Sequence, residues 1–218
     1  MSSKKRKIIY FVRHGQSEDN VLPVFQSSQT PLSEKGKRQA ESIAKRLMGV
    51  DFEALLASPL PRASQTAEQI SLRTGKQLEF YDMLVERIKP VSIDGKPWAD
   101  KQATDTWRAW NESFFSPDKR VEDGENFDDI VARADGVLET LLTRPEQHIV
   151  AVTHGYFLRT IIARVILGDN LTPELLRRFQ ELTFTENTAI TVLHHTAAFE
   201  EAPRWRVWSL NDHSHFAD

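Results

Sequence analysis

The sequence predicts an α/β sandwich: three layers, with a mostly parallel central sheet flanked by helices. Three observations carry that expectation. Short, continuous apolar runs rich in β-branched residues recur along the chain, as strands buried on both faces require. Segments with apolar positions at the 3.6-residue period separate them. The two kinds alternate, and strands alternating with amphipathic helices form a sheet covered on both sides.

The elements follow in order. Lys4-Lys5-Arg6-Lys7 reads as a solvated basic tail leading into the first strand, Ile8 to Val12. That apolar run is too short for a signal-peptide core and ends at Arg13-His14. Ser33 can cap a helix that places Ala40, Ile43, Ala44 and Leu47 on one face. Ala54 to Ala57 is a second strand. A helix from about Ala63 to Thr74 stops at Gly75, a residue type that ends helices in the left-handed conformation. Leu78 to Tyr81 is a further strand. Asn126 caps the most regular helix of the chain, with Phe127, Ile130, Val131, Ala134, Val137, Leu138, Leu141 and Leu142 on one side and Pro145 beyond its end. His148 to Thr153 is a strand, and Tyr156 to Leu167 a buried helix. Thr172 caps the last helix, with Pro173 at its first position. Ala189 to His194 and Trp205 to Leu210 are the closing strands. His194 and His195, adjacent in a strand, point to opposite faces and cannot chelate together. His213 and His215 lie in what reads as a disordered tail.

Arg87 to Glu125 is different. It holds Trp98, Trp107, Trp110, Phe114 and Phe115 without a strand pattern. It reads as an insertion whose aromatics form a small satellite core, with Trp107 and Trp110 on one helix face. Its even mixture of acids and bases argues against a nucleic-acid groove. No linker, repeat or low-complexity tract interrupts the chain, so one domain over residues 1–218 is expected.

Composition narrows the function. A net charge of −3 lacks the basic excess of a general nucleic-acid binder. There is no cysteine, which excludes disulfides, thiolate nucleophiles and cysteine-based zinc sites and fits a cytoplasmic protein. No apolar run approaches a membrane span.

Three strand ends carry unusual residues. The first strand runs into Arg13-His14-Gly15, the second into Ser58-Pro59 and then Arg62, and the strand from His148 into His154-Gly155. Ligands of open α/β sheets bind beyond the carboxyl ends of the strands. If these strands are parallel neighbours, two histidines and two arginines meet there. Guanidinium forks match the oxygens of a phosphate dianion. Helix N-termini after Gly15 and Gly155 would add backbone N–H donors. A neutral imidazole can attack phosphorus near pH 7, and splitting hydrolysis into two transfers through it is ordinary covalent catalysis.

At these residues the chain resembles the histidine phosphatase superfamily, the phosphoglycerate-mutase-like fold. Arg13-His14-Gly15-Gln16-Ser17-Glu18-Asp19-Asn20 is similar to its opening R-H-G-[EQ]-[ST]-x-x-N. Pro31 to Gly36, with Gln39-Ala40, resembles P-L-[ST]-x-x-G-x-x-Q-A. Ser58 to Ala67 resembles S-P-L-x-R-A-x-Q-T-A, Leu84-Val85-Glu86 the L-x-E that holds the acid, and Val152 to Gly155 the second histidine motif. The five motifs stand in family order. The resemblance implies that His14 accepts the phosphoryl group, that Arg13, Arg62 and His154 line the phosphate pocket, and that Asn20 and the Gly155 backbone add contacts. Glu86 would protonate the leaving oxygen and then activate water. It also implies a small-molecule phosphate ester as substrate, no metal, no cofactor, and the 87–125 insertion as cover for the active site.

The chain departs from the family after Glu86, where Arg87-Ile88-Lys89-Pro90 replaces the usual glycine-containing continuation. If Glu86 is not the acid, Asp82 and Asp94 are the next carboxylates. Mutases of the family resemble L-N-E-R-H-Y-G followed by paired arginines; here neither the His-Tyr-Gly nor an Arg-Arg before residue 177 is present. Phosphomonoester hydrolysis is therefore expected ahead of mutase-type phosphoryl transfer, and both ahead of a catalytically inactive phosphate binder. The natural substrate and the oligomeric state stay open.

Overall fold

The computed structural model describes residues 6–197, 202 and 204–216; Lys4 and Lys5 of the basic start lie outside them. Six strands form one sheet: β1 (Lys7–Arg13), β2 (Ala54–Ala57), β3 (Leu78–Phe80), β4 (His148–Thr153), β5 (Ile190–Thr196) and β6 (Arg204–Asp212). Their order across the sheet is β3-β2-β4-β1-β5-β6. The first four are mutually parallel; β5 and β6 run antiparallel at one edge. The helices are α1 (Glu34–Leu47), α2 (Pro61–Thr74), α3 (Lys101–Ser113), α4 (Phe127–Thr143), α5 (Gly155–Leu167) and α6 (Pro173–Leu182).

The period-2 alternation of the strands separates two cores. On β4, Val150 and Val152 join Leu55 and Ala57 of β2 beneath Ile43 and Leu47 of α1 and Ala67 and Ile70 of α2. Ile149 and Ala151 face the other way, with Ile9 and Phe11 of β1, against Ile130 and Val137 of α4 and Leu158 and Ile161 of α5. Each of the valine, leucine, isoleucine and phenylalanine side chains contributes about 1.5–3 kcal/mol by burial, so both faces of the sheet must be covered.

Local chemistry sets the helix ends. Ser33 accepts the Gly36 N–H at 3.1 Å. Proline at its first position lets α2 begin at Pro61, two residues before the expected start, and Gly75 closes it at φ +71°. Asn126 and Asp129 form a reciprocal capping box on α4.

Three expectations need correction. The aromatics of residues 87–125 do not form one satellite core. Trp110 packs with Ile93 and Ala103, Phe114 joins the main core, and Trp98, Trp107 and Phe115 are exposed. Leu142 at the end of the α4 stripe is also exposed. The C-terminal histidines are not in a disordered tail as far as Phe216. Ser214–Phe216 is a 3₁₀ turn, and the His215 ring bridges Arg46 and Thr188 at 3.1 Å each, two polar partners that hold the segment down.

Candidate active site

β2, β4 and β1 lie side by side, with Ala57 opposite Val152 and Arg13 opposite Thr153. The first residue past each strand is Ser58, His154 and His14 in turn. Three parallel strand ends thus deliver the polar groups to one edge of the sheet, where such folds bind ligands.

His14 is 2% exposed. Its backbone N–H donates to Thr153 O at 2.9 Å, and its carbonyl accepts from Asn187 Nδ2 at 2.8 Å. Its ring Nδ1 lies 2.6 Å from Gly15 O. A carbonyl only accepts, so Nδ1 carries the proton and Nε2 keeps the lone pair. The rings of His14 and His154 are 5.0 Å apart. His154 Nε2 contacts Ser58 Oγ at 2.8 Å, and that hydroxyl already accepts the Leu60 N–H. The hydroxyl keeps a second lone pair as well as its proton, so the contact fits either tautomer; with the hydroxyl donating to Nε2, the proton of His154 sits on Nδ1.

Three buried side-chain nitrogens in this cluster have no partner among the described residues: Arg13 Nε, Arg62 Nε and His154 Nδ1. One terminal nitrogen of each guanidinium is anchored. Arg13 Nη1 donates to Thr185 O at 2.5 Å, and Arg62 Nη1 to Ser27 O at 3.2 Å. Buried polar hydrogens almost always find acceptors, so three orphans in one cluster mark the seat of an anion. Burial, then the charges of Arg62 and Arg13, hold the His14 imidazole well below its ordinary pKa. Burial, then Arg62, does the same to His154. Burial brings Arg62 down to about 10, so it stays charged at neutral pH.

Glu86 lies at the N-terminus of α5. Its Oε1 accepts from Arg87 N at 3.0 Å and Phe157 N at 2.9 Å, and its Oε2 from Tyr156 N at 3.2 Å. Oε1 is saturated, so Oε2 is the oxygen with a lone pair to exchange a proton. Of the alternative carboxylates, Asp82 is exposed and Asp94 is tied to Lys89, Ser27 and Ser28.

The helix termini differ from expectation. After Gly15 comes only a 3₁₀ turn, Glu18–Val21. The N–H groups of Tyr156 and Phe157 on α5 are taken by Glu86. Gly155 serves by lacking a side chain: a Cβ there would sit 3.2 Å from Arg13 Nε. Asn20 is exposed, and its Oδ1 accepts from Ser17 N in the capping of that turn. The structure brings His14, Arg13, Arg62, His154, Gly155 and Glu86 together and leaves Asn20 at the margin.

Sequence reasoning missed the supports. Thr66 Oγ1 accepts the Gly15 N–H at 3.1 Å and donates to Arg62 O at 2.7 Å, coupling two motifs. Arg133 grips both oxygens of Glu125 at 2.6 and 2.7 Å and donates to the carbonyls of Met83 and Val85 at 2.8 Å, which fixes the backbone just before Glu86. A cation on the apolar side of α4, at the Arg133 position, was the available signal. Among the described residues no group of three or more metal-ligating side chains is placed to hold a cation.

A cavity of about 640 Å³ opens from Arg62 and Glu86 and is walled largely by residues 85–123, with Phe25 and Gln26 opposite. Neither histidine lines it; Arg62 and Glu86 are the residues of the cluster that do. The family model for the histidine phosphatase superfamily (branch 1) matches residues 9–209. The chain belongs to that superfamily. Its curated relatives include a probable phosphoglycerate mutase GpmB of Proteus mirabilis, 27% identical, the match covering 96% of this chain and 95% of that one. A mycobacterial glucosyl-3-phosphoglycerate phosphatase is 26% identical and superposes with a TM-score of 0.73 over 95% of this chain and 99% of its own. The α-ribazole phosphatase of Shigella flexneri shares the fold, with a TM-score of 0.73, 21% identity and coverage of 94% and 96%. No helix among the described residues is long and apolar enough to cross a membrane.

Proposed function

We propose that this histidine phosphatase hydrolyses small phosphomonoesters through a phosphohistidine on Nε2 of His14. The observation that carries the reading is the set of three buried, unpartnered nitrogens, two of them guanidinium donors, beside a histidine whose Nε2 lone pair is free. The ester phosphate accepts from Arg13 Nε, Arg62 Nε and His154 Nδ1, whose charge and dipoles are fixed before the reaction begins. Nε2 attacks phosphorus, the P–O bond to the alcohol breaks, and Glu86 Oε2 gives its proton to the leaving oxygen. Water then attacks phosphorus and passes a proton to Glu86. The P–N bond breaks, inorganic phosphate leaves, and both groups return to their starting state.

Residues 87–125 act as the substrate-side wall of the one domain, and the absence of cysteine supports a cytoplasmic setting. The GpmB relatives favour a second reading, in which another hydroxyl replaces water as acceptor. It shares the first step and is separated by whether inorganic phosphate or a rearranged ester accumulates.

The test is rapid acid-free quenching with a ³²P-labelled ester. The expected adduct is alkali-stable and acid-labile, as a phosphoramidate is, and is lost in His14→Ala. An alkali-stable adduct that persists in that variant rules out His14.

A further inference from the structure

The cationic side chains of the cavity wall beyond Arg62 and Glu86 already have protein partners. Lys89 is bound to Asp94 at 2.7 Å. Arg87 is buried, donates to Glu125 O and Asn111 Oδ1, and lies 3.7 Å from the Trp110 ring centroid. Asp123 lines the cavity, is exposed and accepts the Val91 N–H, with no salt bridge to a described residue. A neighbouring cavity of about 350 Å³ shares Arg87 and adds Arg159 and Arg177. Arg159 is spent on the carbonyls of Gly155, Gln180 and Thr183, and Arg177 is bound to Glu181. A leaving group with its own carboxylate or second phosphate therefore meets no cation whose donors are uncommitted here, and it approaches the Asp123 carboxylate.

The apolar side of the cavity is open. Phe25 and Trp107 face it with ring centroids 6.2 Å apart and planes within 31°. Trp107 is 42% exposed, and Val91, which also lines the cavity, is more so, which is apolar area a ligand can remove from water. Gln26 and Asn111 supply neutral hydrogen-bonding groups. The volume lies within the usual range for ligands of drug size, roughly 300–1,000 Å³, and far exceeds what a three-carbon acid fills.

We infer that the substrate's leaving group is uncharged and ring-bearing, with its ring laid against Phe25 and Trp107, and that esters carrying a second anion bind poorly. This rests on the phosphatase reading of the same pocket. Its test is made on binding, so that catalysis cannot confuse it. Isothermal titration compares 3-phenylpropylphosphonate, propylphosphonate and 3-phosphonopropionate, which share one head group. The phenylpropyl compound should bind at least about tenfold more tightly than the propyl one, as burial of a ring against tryptophan implies. The phosphonopropionate should be the weakest. Trp107→Ala should collapse the phenylpropyl-to-propyl ratio towards one. Equal dissociation constants for the first two, a preference for phosphonopropionate, or no binding by any of them overturns the inference. Phosphohistidine trapping judges the phosphatase reading separately, whatever the order of affinities.

Discussion

Replacing Arg133 by methionine should separate stability from catalysis. The Arg133 and Glu125 side chains are 11% and 8% exposed, and two hydrogen bonds of 2.6 and 2.7 Å join them. Methionine keeps the stem that packs near Phe157, whose ring lies 3.8 Å from the guanidinium. It leaves the Glu125 carboxylate buried, with the Ile88 N–H as its remaining partner. Breaking a buried pair from one side costs about 3–5 kcal/mol, because a charge is left uncompensated. At about 2–4 °C per kcal/mol for a chain of this size, the melting temperature should drop by roughly 6–20 °C. Adding Glu125→Gln removes the stranded charge and should recover more than half of that loss. The carbonyls of Met83 and Val85 remain unanchored in both variants, so the segment leading into Glu86 shifts in both. Misplacement by an ångström costs catalysis about 10²-fold, and turnover of an alkyl phosphate should fall towards that value in the single and the double variant alike. Thermal unfolding followed by circular dichroism and single-turnover kinetics measure the two effects. A melting shift below 2 °C in Arg133→Met, or full activity in the double variant, refutes the reasoning.

Three further outcomes are expected. Glu86→Gln should slow hydrolysis of alkyl phosphates by about 10²–10⁴-fold and of p-nitrophenyl phosphate by less, since nitrophenolate leaves without a proton; equal small losses in single turnover would move the acid elsewhere. Gly36→Ala should cost about 10²-fold in turnover while the chain stays folded, because a Cβ there would lie 1.9 Å from Gln16 O and must push the loop after His14; near-normal kcat would show that the loop yields freely. Stability should fall as pH drops below about 6.5, because His14 and His154 are held neutral in the fold and the unfolded chain binds more protons. Urea midpoints between pH 7.5 and 5.5 check this, with a shallower fall expected in His14→Asn; midpoints independent of pH would contradict it.

Much of the scaffold was legible because its signals are local. Ala54–Ala57 and His148–Thr153 match the structure residue for residue, and Ser33, Gly75, Asn126 and Thr172 end helices as their chemistry dictates. His14 and His154 could be placed because both follow continuous apolar strands. Pairings across the chain could not be read. Nothing beside Glu86 announces that the α5 amides will hold it, and nothing beside Asn187 announces the His14 carbonyl 173 positions away. The 87–125 segment was misjudged for a related reason. An aromatic count cannot tell Trp110, which turns inward, from Trp107, which turns to the cavity.

The two ends of that segment meet. Glu125 N donates to Ile88 O at 2.8 Å, and the Glu125 carboxylate accepts the Ile88 N–H at 2.8 Å, so the chain leaves the body of the enzyme and re-enters it at one clasp. A loop whose ends are adjacent can be exchanged at little entropic cost, since closing a longer or shorter one differs only logarithmically. On the proposed reading, specificity can drift in this segment, with Phe114 kept as its plug in the main core, while the strand ends stay fixed. Grafting a relative's segment between Ile88 and Glu125, with the clasp and Arg133 kept, is the economical way to redirect this enzyme towards another ester.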